Sequence, residues 1–157
     1  MGMKMTTPMS DIEAYIKSET EKNLKKIVTT LSYVGDEVVK GIRTGEYSNW
    51  NDQTGNLRSS IGYIIVVDGV PVTLSNFAEV SGPKEGPRDG SQTGRSFAQS
   101  LCSLYRSGIA LIVVAGMEYA SRVEKLENKT VLAQGEIEAR KMINEMVEEI
   151  NRKLAAK

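Results

Sequence analysis

The sequence predicts an α+β fold: a small, mainly antiparallel sheet with a long N-terminal helix, a middle helix and a C-terminal helix packed on one of its faces. Three observations lead to this prediction. Apolar residues recur three or four positions apart near both ends of the chain, which is helical spacing. A central run of β-forming residues is closed by an Asp-Gly pair, a strong hairpin signal. The length of 157 residues fits one domain spanning residues 1–157.

The first helix is predicted from Asp11 to about Ile42. Ser10 is the expected N-cap, and Glu13 completes a capping box with it. Gly35 is a candidate break within the helix, and two glycines mark its exit, Gly41 and Gly45. At 1.5 Å per residue the helix would be roughly 48 Å long, so its first half is expected to project from the domain. Residues 1–9 are predicted to form a flexible tail.

A β-hairpin is predicted in the middle of the chain. Leu57 to Val67 is rich in β-forming residues. Asp68 and Gly69 form the turn, and Val70 to Phe77 is the return strand. Pro71 lies near the start of the return strand, and proline lacks a backbone N–H. The return strand is therefore expected at a sheet edge.

The rest of the chain is predicted to contain a loop, two helices and a strand. Ser81 to Gly94 contains four glycines and two prolines, so a mobile loop is expected. Arg95 to Arg106 has helical spacing, and Thr93 or Gly94 is expected to cap this helix. Gly108 ends the helix, Ile109 to Ala115 is a buried strand, and the last helix begins near Leu132 or Ala133.

Composition argues against several chemistries. The chain has 20 basic and 20 acidic residues, which disfavours nucleic-acid binding through global charge. It has no histidine and one cysteine, Cys102, which excludes an internal disulfide, a Cys/His zinc site and the usual histidine-dependent hydrolases. The start lacks the apolar core of a signal peptide, and no apolar run approaches the ~20 residues that span a bilayer. A soluble protein made in the cytosol is expected.

No motif predicts catalysis or a cofactor. Gly90 to Ser96 resembles a phosphate-binding loop only superficially, because its glycine spacing is one residue short and Arg95 replaces the lysine. The carboxylates of the last helix alternate with lysine and arginine, as on a solvated helix face. The lysines of the first helix are similarly offset by glutamates. We therefore expect no enzyme, no cofactor and no metal.

The candidate functional residues are candidates for an interface. Trp50 is the sole tryptophan and lies in a polar segment, where it is either a lid on the local core or an interface anchor. The Arg58 guanidinium is expected to pair across a subunit boundary or with Asp52. The remaining candidates belong to the hairpin tip, the glycine-rich loop and its exit: Asp68, Gly69, Lys84, Arg88 and Arg95.

Two patches of the sequence resemble a known family. Tyr47, Trp50, Asp52 and the run Thr54–Gly62 form the first patch, and Ile112–Ala120 with the following Val123-Glu124 forms the second. Together they resemble a family of small tailed-phage virion proteins, the tail-completion or neck components of siphophage and prophage morphogenesis modules. The resemblance spans roughly Asp11 to Leu154 and is weakest at two stretches, Ser81 to Gly94 and Leu126 to Gln134.

The resemblance implies a structural role in the virion without enzymatic activity. The expected assembly is a homo-oligomeric ring, a hexamer or dodecamer, at the head–tail junction or the tail end. Its expected partners are neck, portal or tail proteins, with non-specific contact to packaged DNA and none to a membrane. The expected location is the virion neck or tail, after synthesis in the bacterial host cytoplasm. The alternative is a small cytosolic binding module of unknown ligand with no phage role.

Overall fold

A computed structural model describes residues 8–86, 88–126 and 129–155 of the chain. Its elements are five α-helices and three strands, and a 3₁₀ turn, Cys102–Leu104, follows the third helix in the described part of the chain. In chain order they are α1 Met9–Thr44, α2 Asn56–Ser59, β1 Ile61–Val67, β2 Val70–Leu74, α3 Gly90–Leu101, β3 Ile109–Ala115, α4 Ala120–Leu126 and α5 Ala133–Ala155. The predicted α+β class is confirmed, with its long N-terminal helix and its middle and C-terminal helices.

The three described strands form one antiparallel sheet in the order β2-β1-β3. The predicted hairpin turn is confirmed, because Asp68 and Gly69 both have positive φ, 49° and 82°. β2 lies at an edge, as Pro71 predicted. β2 ends at Leu74 instead of Phe77. The reason is Ser75, whose Oγ accepts the N–H of Tyr63 at 2.8 Å and so replaces a ladder hydrogen bond.

Helices cover both faces of the sheet, which corrects the prediction of helices on one face. On one face, Ile61, Tyr63 and Ile65 of β1 pack in a core with α1, and α5 residues pack around it. On the other face, Ile64 and Val66 pack with residues of α3 and β3. β1 is therefore buried on both sides, and its run of consecutive apolar residues reflects that environment.

The predicted capping box of α1 is wrong. The helix begins at Met9, no side chain caps it, and the Ser10 hydroxyl instead hydrogen-bonds the Asp11 carboxylate at 3.5 Å. The carbonyl of Pro8 already accepts the Asp11 N–H at 3.1 Å, so the first turn starts earlier than predicted. Of the predicted flexible tail, residues 1–7 lie outside the described part of the chain, while Met9 is helical.

α1 runs unbroken through Gly35. This glycine lies against the ring of Tyr63, where a Cβ would approach to 2.8 Å, so it serves packing and not a break. Gly41 is likewise inside the helix, against the ring of Tyr47. Gly45, with a φ of 88°, ends the helix as predicted. The first half of α1 is exposed, with Ile16 58% accessible.

Two further boundaries differ from the predictions. The predicted strand from Leu57 begins only at Ile61, because residues 56–59 form the short helix α2. The middle helix begins at Gly90 instead of Arg95, so the last five residues of the predicted mobile loop are helical. Asp89 occupies the N-cap position, and its carbonyl accepts the N–H of Thr93, which corrects the expected cap at Thr93 or Gly94.

The C-terminal helix begins where predicted, at Ala133, and its start is fixed by Glu124. One carboxylate oxygen, Oε1, accepts the N–H groups of Val131, Leu132 and Ala133 at 3.0, 2.8 and 3.3 Å. These are donors of the kind that a helix start leaves without intrahelical partners. Glu124 belongs to α4, a helix that the sequence analysis did not predict.

Burial of β1 on both faces gives a testable expectation. We expect Ile64→Ala and Ile65→Ala each to lower the free energy of unfolding by about 2–5 kcal/mol, because both side chains are 0% exposed. Val72→Ala on the exposed side of β2 should cost less than about 0.5 kcal/mol. Urea denaturation measures all three. A small cost for either isoleucine would mean that one face of β1 is not covered.

Tyr63 predicts a loss of stability at alkaline pH. Burial, and then the negative charge of Asp36, raise the pKa of Tyr63 above its ordinary value. A raised folded pKa stabilises the protein fully below the unfolded pKa of about 10, and this contribution is lost as pH rises through the folded pKa. Tyr63→Phe should therefore flatten the decline in unfolding free energy above about pH 10. The exposed Tyr15→Phe is the control, and an equal decline in both variants would contradict the assignment.

Candidate functional site

The segment between α1 and β1 is organised by Asp52. Its Oδ1 accepts the N–H of Gly55 at 2.9 Å, and its Oδ2 accepts the main-chain N–H of Arg58 at 2.8 Å. The Asp52 carboxylate thereby satisfies donors at the start of α2, where an acidic group is favourable. Of the two partners expected for the Arg58 guanidinium, a neighbouring subunit or Asp52, the second is replaced here by a hydrogen bond from the Arg58 backbone.

Gly55 lets another backbone segment come closer than a residue with a side chain would allow. It has a φ of 88°, and a Cβ there would lie 1.8 Å from the carbonyl oxygen of Val80. Next to this contact, the Ser59 hydroxyl donates to Gly55 O at 2.7 Å and accepts the N–H of Val80 at 2.8 Å. The segment that follows β2 is therefore fixed against the Thr54–Gly62 run by backbone contacts.

Trp50 and Arg58 form one stacked pair. Trp50 is 5% exposed and belongs to the core around α1, which supports the lid interpretation of its role. The guanidinium carbon of Arg58 lies 5.5 Å from the centroid of the indole ring, within cation–π range. Trp50 Nε1 and Arg58 Nε are buried and hydrogen-bond to no group among the described residues.

Arg43 is a structural cation that the sequence analysis missed. Its Nη2 donates to the carbonyls of Ile61, Ala78 and Ser59, at 2.8, 3.3 and 3.4 Å. It therefore joins the end of α1 to β1 and to the segment after β2. Burial lowers the pKa of Arg43 from its ordinary value. The available signal was its position in the last turn of a helix, where a cation is favourable.

Part of the predicted mobile loop is docked on the turn of Asp52. The N–H groups of Gly82 and Lys84 donate to Thr54 O and Gln53 O at 3.1 and 2.8 Å. Lys84 Nζ also donates to Gln53 Oε1 at 2.8 Å. Lys84 and Arg88, two of the predicted interface residues, are exposed and line one open hollow of about 400 Å³. We refer to this surface as the Lys84–Arg88 hollow.

The segment that resembles a phosphate-binding loop is a packing element. A Cβ on Gly90 would lie 2.2 Å from Asn56 O, and one on Gly94 would lie 2.3 Å from Ser60 O. Asn56 reinforces this contact, because its Nδ2 donates to Asp89 Oδ1 and its Oδ1 accepts the Gly90 N–H. These glycines bring α3 against α2, and they form no cradle for an anion.

A cavity of about 520 Å³ opens beside Trp50. Its walls combine polar groups of the Asp52 turn with Leu57, Tyr119 and Val123. Burial, and then the negative charges of Asp52 and Asp89, raise the pKa of the Tyr119 hydroxyl. The Tyr119 hydroxyl, which is protonated at neutral pH, can both donate and accept a hydrogen bond at the cavity wall.

The other predicted interface residues lie elsewhere. The hairpin tip is tied to the start of β3, because Asp68 Oδ1 accepts the Gly108 N–H at 2.7 Å and Asp68 N donates to Gly108 O at 2.9 Å. Gly69 lies against Arg106, with a Cβ position 3.6 Å from its Cα. The Arg95 guanidinium carbon lies 6.0 Å from the centroid of Phe77. The candidates therefore do not form a single site.

The comparisons with known proteins identify no relative: no family model, curated protein or solved structure matches the chain. Among residues 8–86, 88–126 and 129–155, no group of three or more His, Cys, Asp or Glu side chains is placed to hold a metal ion. Within the same residues, no helix is both long and apolar enough to cross a membrane.

The close approach at Gly55 can be measured against a matched control. Gly45 has the same φ of 88°, but the nearest atom to a Cβ there is 3.8 Å away. We expect Gly45→Ala to cost about 1–2 kcal/mol through backbone strain alone. Gly55→Ala should cost about 3–5 kcal/mol, because a clash with Val80 adds to the strain. Equal losses in thermal or urea unfolding would show that the Val80 contact is not rigid.

Proposed function

We propose that this protein is a non-enzymatic virion structural protein, a subunit of a ring at the head–tail junction or the tail end of a tailed phage. The observation that carries the proposal is the spatial relation of the two sequence patches that resemble the tail-completion family. Gly116 of the second patch donates its N–H to Ser60 O of the first at 3.1 Å. Leu57 of the first and Tyr119 of the second line the same cavity.

The roles of these residues are consistent with a structural protein. Asp52, Gly55 and Ser59 use their polar groups or their lack of a side chain to hold backbone segments together. A catalytic site would instead need such groups free to act on a substrate, whereas the Asp52 carboxylate and the Ser59 hydroxyl are already engaged by backbone groups. The shared sequence pattern is therefore explained by construction of the turn, as expected of a subunit whose function is to present a shaped surface.

A ring needs two different contacting surfaces on each subunit. The exposed first half of α1 offers one, since Tyr15 and Ile16 are 67% and 58% accessible. The Lys84–Arg88 hollow offers the other, since it carries two exposed cations against one exposed carboxylate, that of Glu85, on a segment held by backbone hydrogen bonds. An acidic patch of a neighbouring subunit or neck protein is the matching partner chemistry.

The interface cannot be tested by deleting the whole segment 81–94, because Gly90 and Gly94 are buried beneath α2 and β1 and their loss would disturb the fold. Point changes on the exposed part of the loop are the appropriate variants. Lys84→Glu with Arg88→Glu reverses the charge of the hollow without changing a buried residue. Lys125→Glu with Lys141→Glu makes the same charge change on exposed positions of α4 and α5.

We expect quantitative mass spectrometry of purified phage particles to find a small, fixed copy number of this chain, comparable to that of the portal. The Lys84/Arg88 variant should enter particles about tenfold or more less efficiently, because like charges oppose the contact, while the Lys125/Lys141 variant should enter normally. Circular dichroism should show both variants folded. Absence of the wild-type chain from particles would rule out the virion role.

The alternative function, a small binding module, is favoured by one observation. The cavity beside Trp50 is large enough for a small ligand, and the buried Trp50 Nε1 has no hydrogen-bond acceptor among the described residues. The same particle measurement separates the two functions. A binding module without a phage role would be absent from particles.

A further inference from the structure

The two edge strands of the sheet, β2 and β3, differ in how well they are protected against pairing with an additional strand. β2 contains Pro71, and its pairing with β1 is irregular between Ile65 and Val66. Both features discourage an added strand. β3 reads Ile-Ala-Leu-Ile-Val-Val-Ala over Ile109–Ala115, with no proline, glycine or charged residue. Its outer edge therefore has none of the sequence devices that keep a strand edge from pairing.

The hydrogen bonds between β1 and β3 show which backbone N–H and C=O groups of β3 point to its outer edge. Asp68 N donates to Gly108 O and Gly116 N donates to Ser60 O, at the two ends of the β1–β3 ladder. Antiparallel residues alternate in the direction of their N–H and C=O groups, so the even-numbered residues between these bonds face β1. The outward-facing residues are the odd-numbered ones: Ile109, Leu111, Val113 and Ala115. No group among the described residues hydrogen-bonds them from the outer side.

An apolar groove runs beside the same edge. Leu111 and Val113 form its wall on the sheet, and Ala139 and Ile143 form its wall on α5, around a space of about 480 Å³. From Ile143 the apolar surface continues along one side of α5. Val147 and Ile150, four and seven residues further on, are 48% and 53% exposed although both are large and apolar. Packing of α5 on α1 therefore leaves one side of this helix uncovered.

We propose that the outer edge of β3 is a self-association edge, at which two copies of this chain pair β3 to β3 in antiparallel orientation. Leu111 of each copy would lie opposite Val113 of the other, and Ile109 opposite Ala115. The backbone N–H and C=O groups of all these residues point to the outer edge. One register therefore pairs these groups on both strands. The product is a continuous six-stranded sheet, twice the three strands of one copy.

The charged residues of α5 favour a second copy of this chain as the partner at the β3 edge. The groove is flanked by Glu136 and Arg140, which form an ion pair at 2.8 Å within the helix. The α5 residues that line the groove extend from Glu136 to Ile143, together with Leu132 just before the helix. In the proposed dimer, a two-fold axis through the middle of β3 would run the two α5 helices in opposite directions, and we expect it to bring Glu136 of each copy opposite Arg140 of the other. The groove is therefore complementary in charge to a copy of itself.

This contact goes beyond the proposed function. A two-fold contact is isologous, whereas a ring is closed by heterologous contacts, so the two use different surfaces. The inference concerns the free protein before any assembly. It can fail while the virion role holds, and it can hold in a protein that never enters a particle.

Sedimentation velocity of the purified full chain tests the inference. We expect a dimer at about 100 μM, with dissociation on dilution. Val113→Pro removes an outward N–H but no bond to β1, and it should weaken the dimer at least ~100-fold. Val72→Lys, on the opposite edge, should leave the dimer unchanged. Circular dichroism of each variant identifies any loss of fold.

A charge exchange keeps the test decisive if Val113→Pro fails to fold. Arg140→Glu places like charges opposite each other across the two-fold axis and should weaken the dimer about tenfold. Glu136→Arg combined with Arg140→Glu should restore it, but this exchange also restores the ion pair within α5. The decisive measurement is therefore a mixture of the two single variants, Glu136→Arg and Arg140→Glu, which should associate with each other more tightly than either does with itself, a result that a role confined to one helix would not produce. A monomeric wild-type chain at about 100 μM, or a closed ring in place of a dimer, would overturn the proposal.

Discussion

The backbone from Gly55 to Ser60 is approached so closely by three other segments that no side chain fits between them. Val80 and Gly82 lie against Gly55, Gly90 lies against Asn56 O, and Gly94 lies against Ser60 O. Gly116 then closes on Gly94, with a Cβ position 2.4 Å from its Cα. The segment after β2, the start of α3 and the end of β3 all take their positions from this one stretch of chain. Polar side chains such as Asp52 and Ser59 complete it by satisfying the backbone groups that such contacts bury.

The central strand, β1, also packs against several other segments, here through apolar side chains. β1 contacts α1 on one face and α3 on the other, so alternate residues of one seven-residue strand belong to two separate cores. Glycines again allow close packing, since the Tyr63 ring lies against Gly35 and the Phe77 ring lies against Gly62. The resulting block is held by main-chain contacts, apolar contacts and polar side chains such as Arg43 and Asp52, and it leaves two kinds of outer surface. One is charged and borne by a docked loop, and the other is the apolar β3 edge beside α5.

Much of the fold was predictable, and the failures share a cause. The hairpin at Asp68-Gly69, the end of α1 at Gly45 and the start of α5 depend on residues close in sequence, so local chemistry specifies them. The start of α3 depends on Asn56, more than thirty residues away, and a glycine-rich segment looks like a loop until that partner is known. Asp52 was named as one of two possible partners of the Arg58 side chain, but its hydrogen bonds are to the backbone N–H groups of Gly55 and Arg58.

By itself the sequence determined the fold class and the order of the main elements, because periodicity and turn residues act over short distances. Its composition also shows directly that it contains no histidine. Only the tertiary structure decided that helices cover both faces of the sheet, that Trp50 is buried under Arg58, and that the β3 edge is open beside an apolar groove. These features depend on which distant segments meet. Consecutive apolar residues say that a strand is buried, but they do not say which helix covers each side.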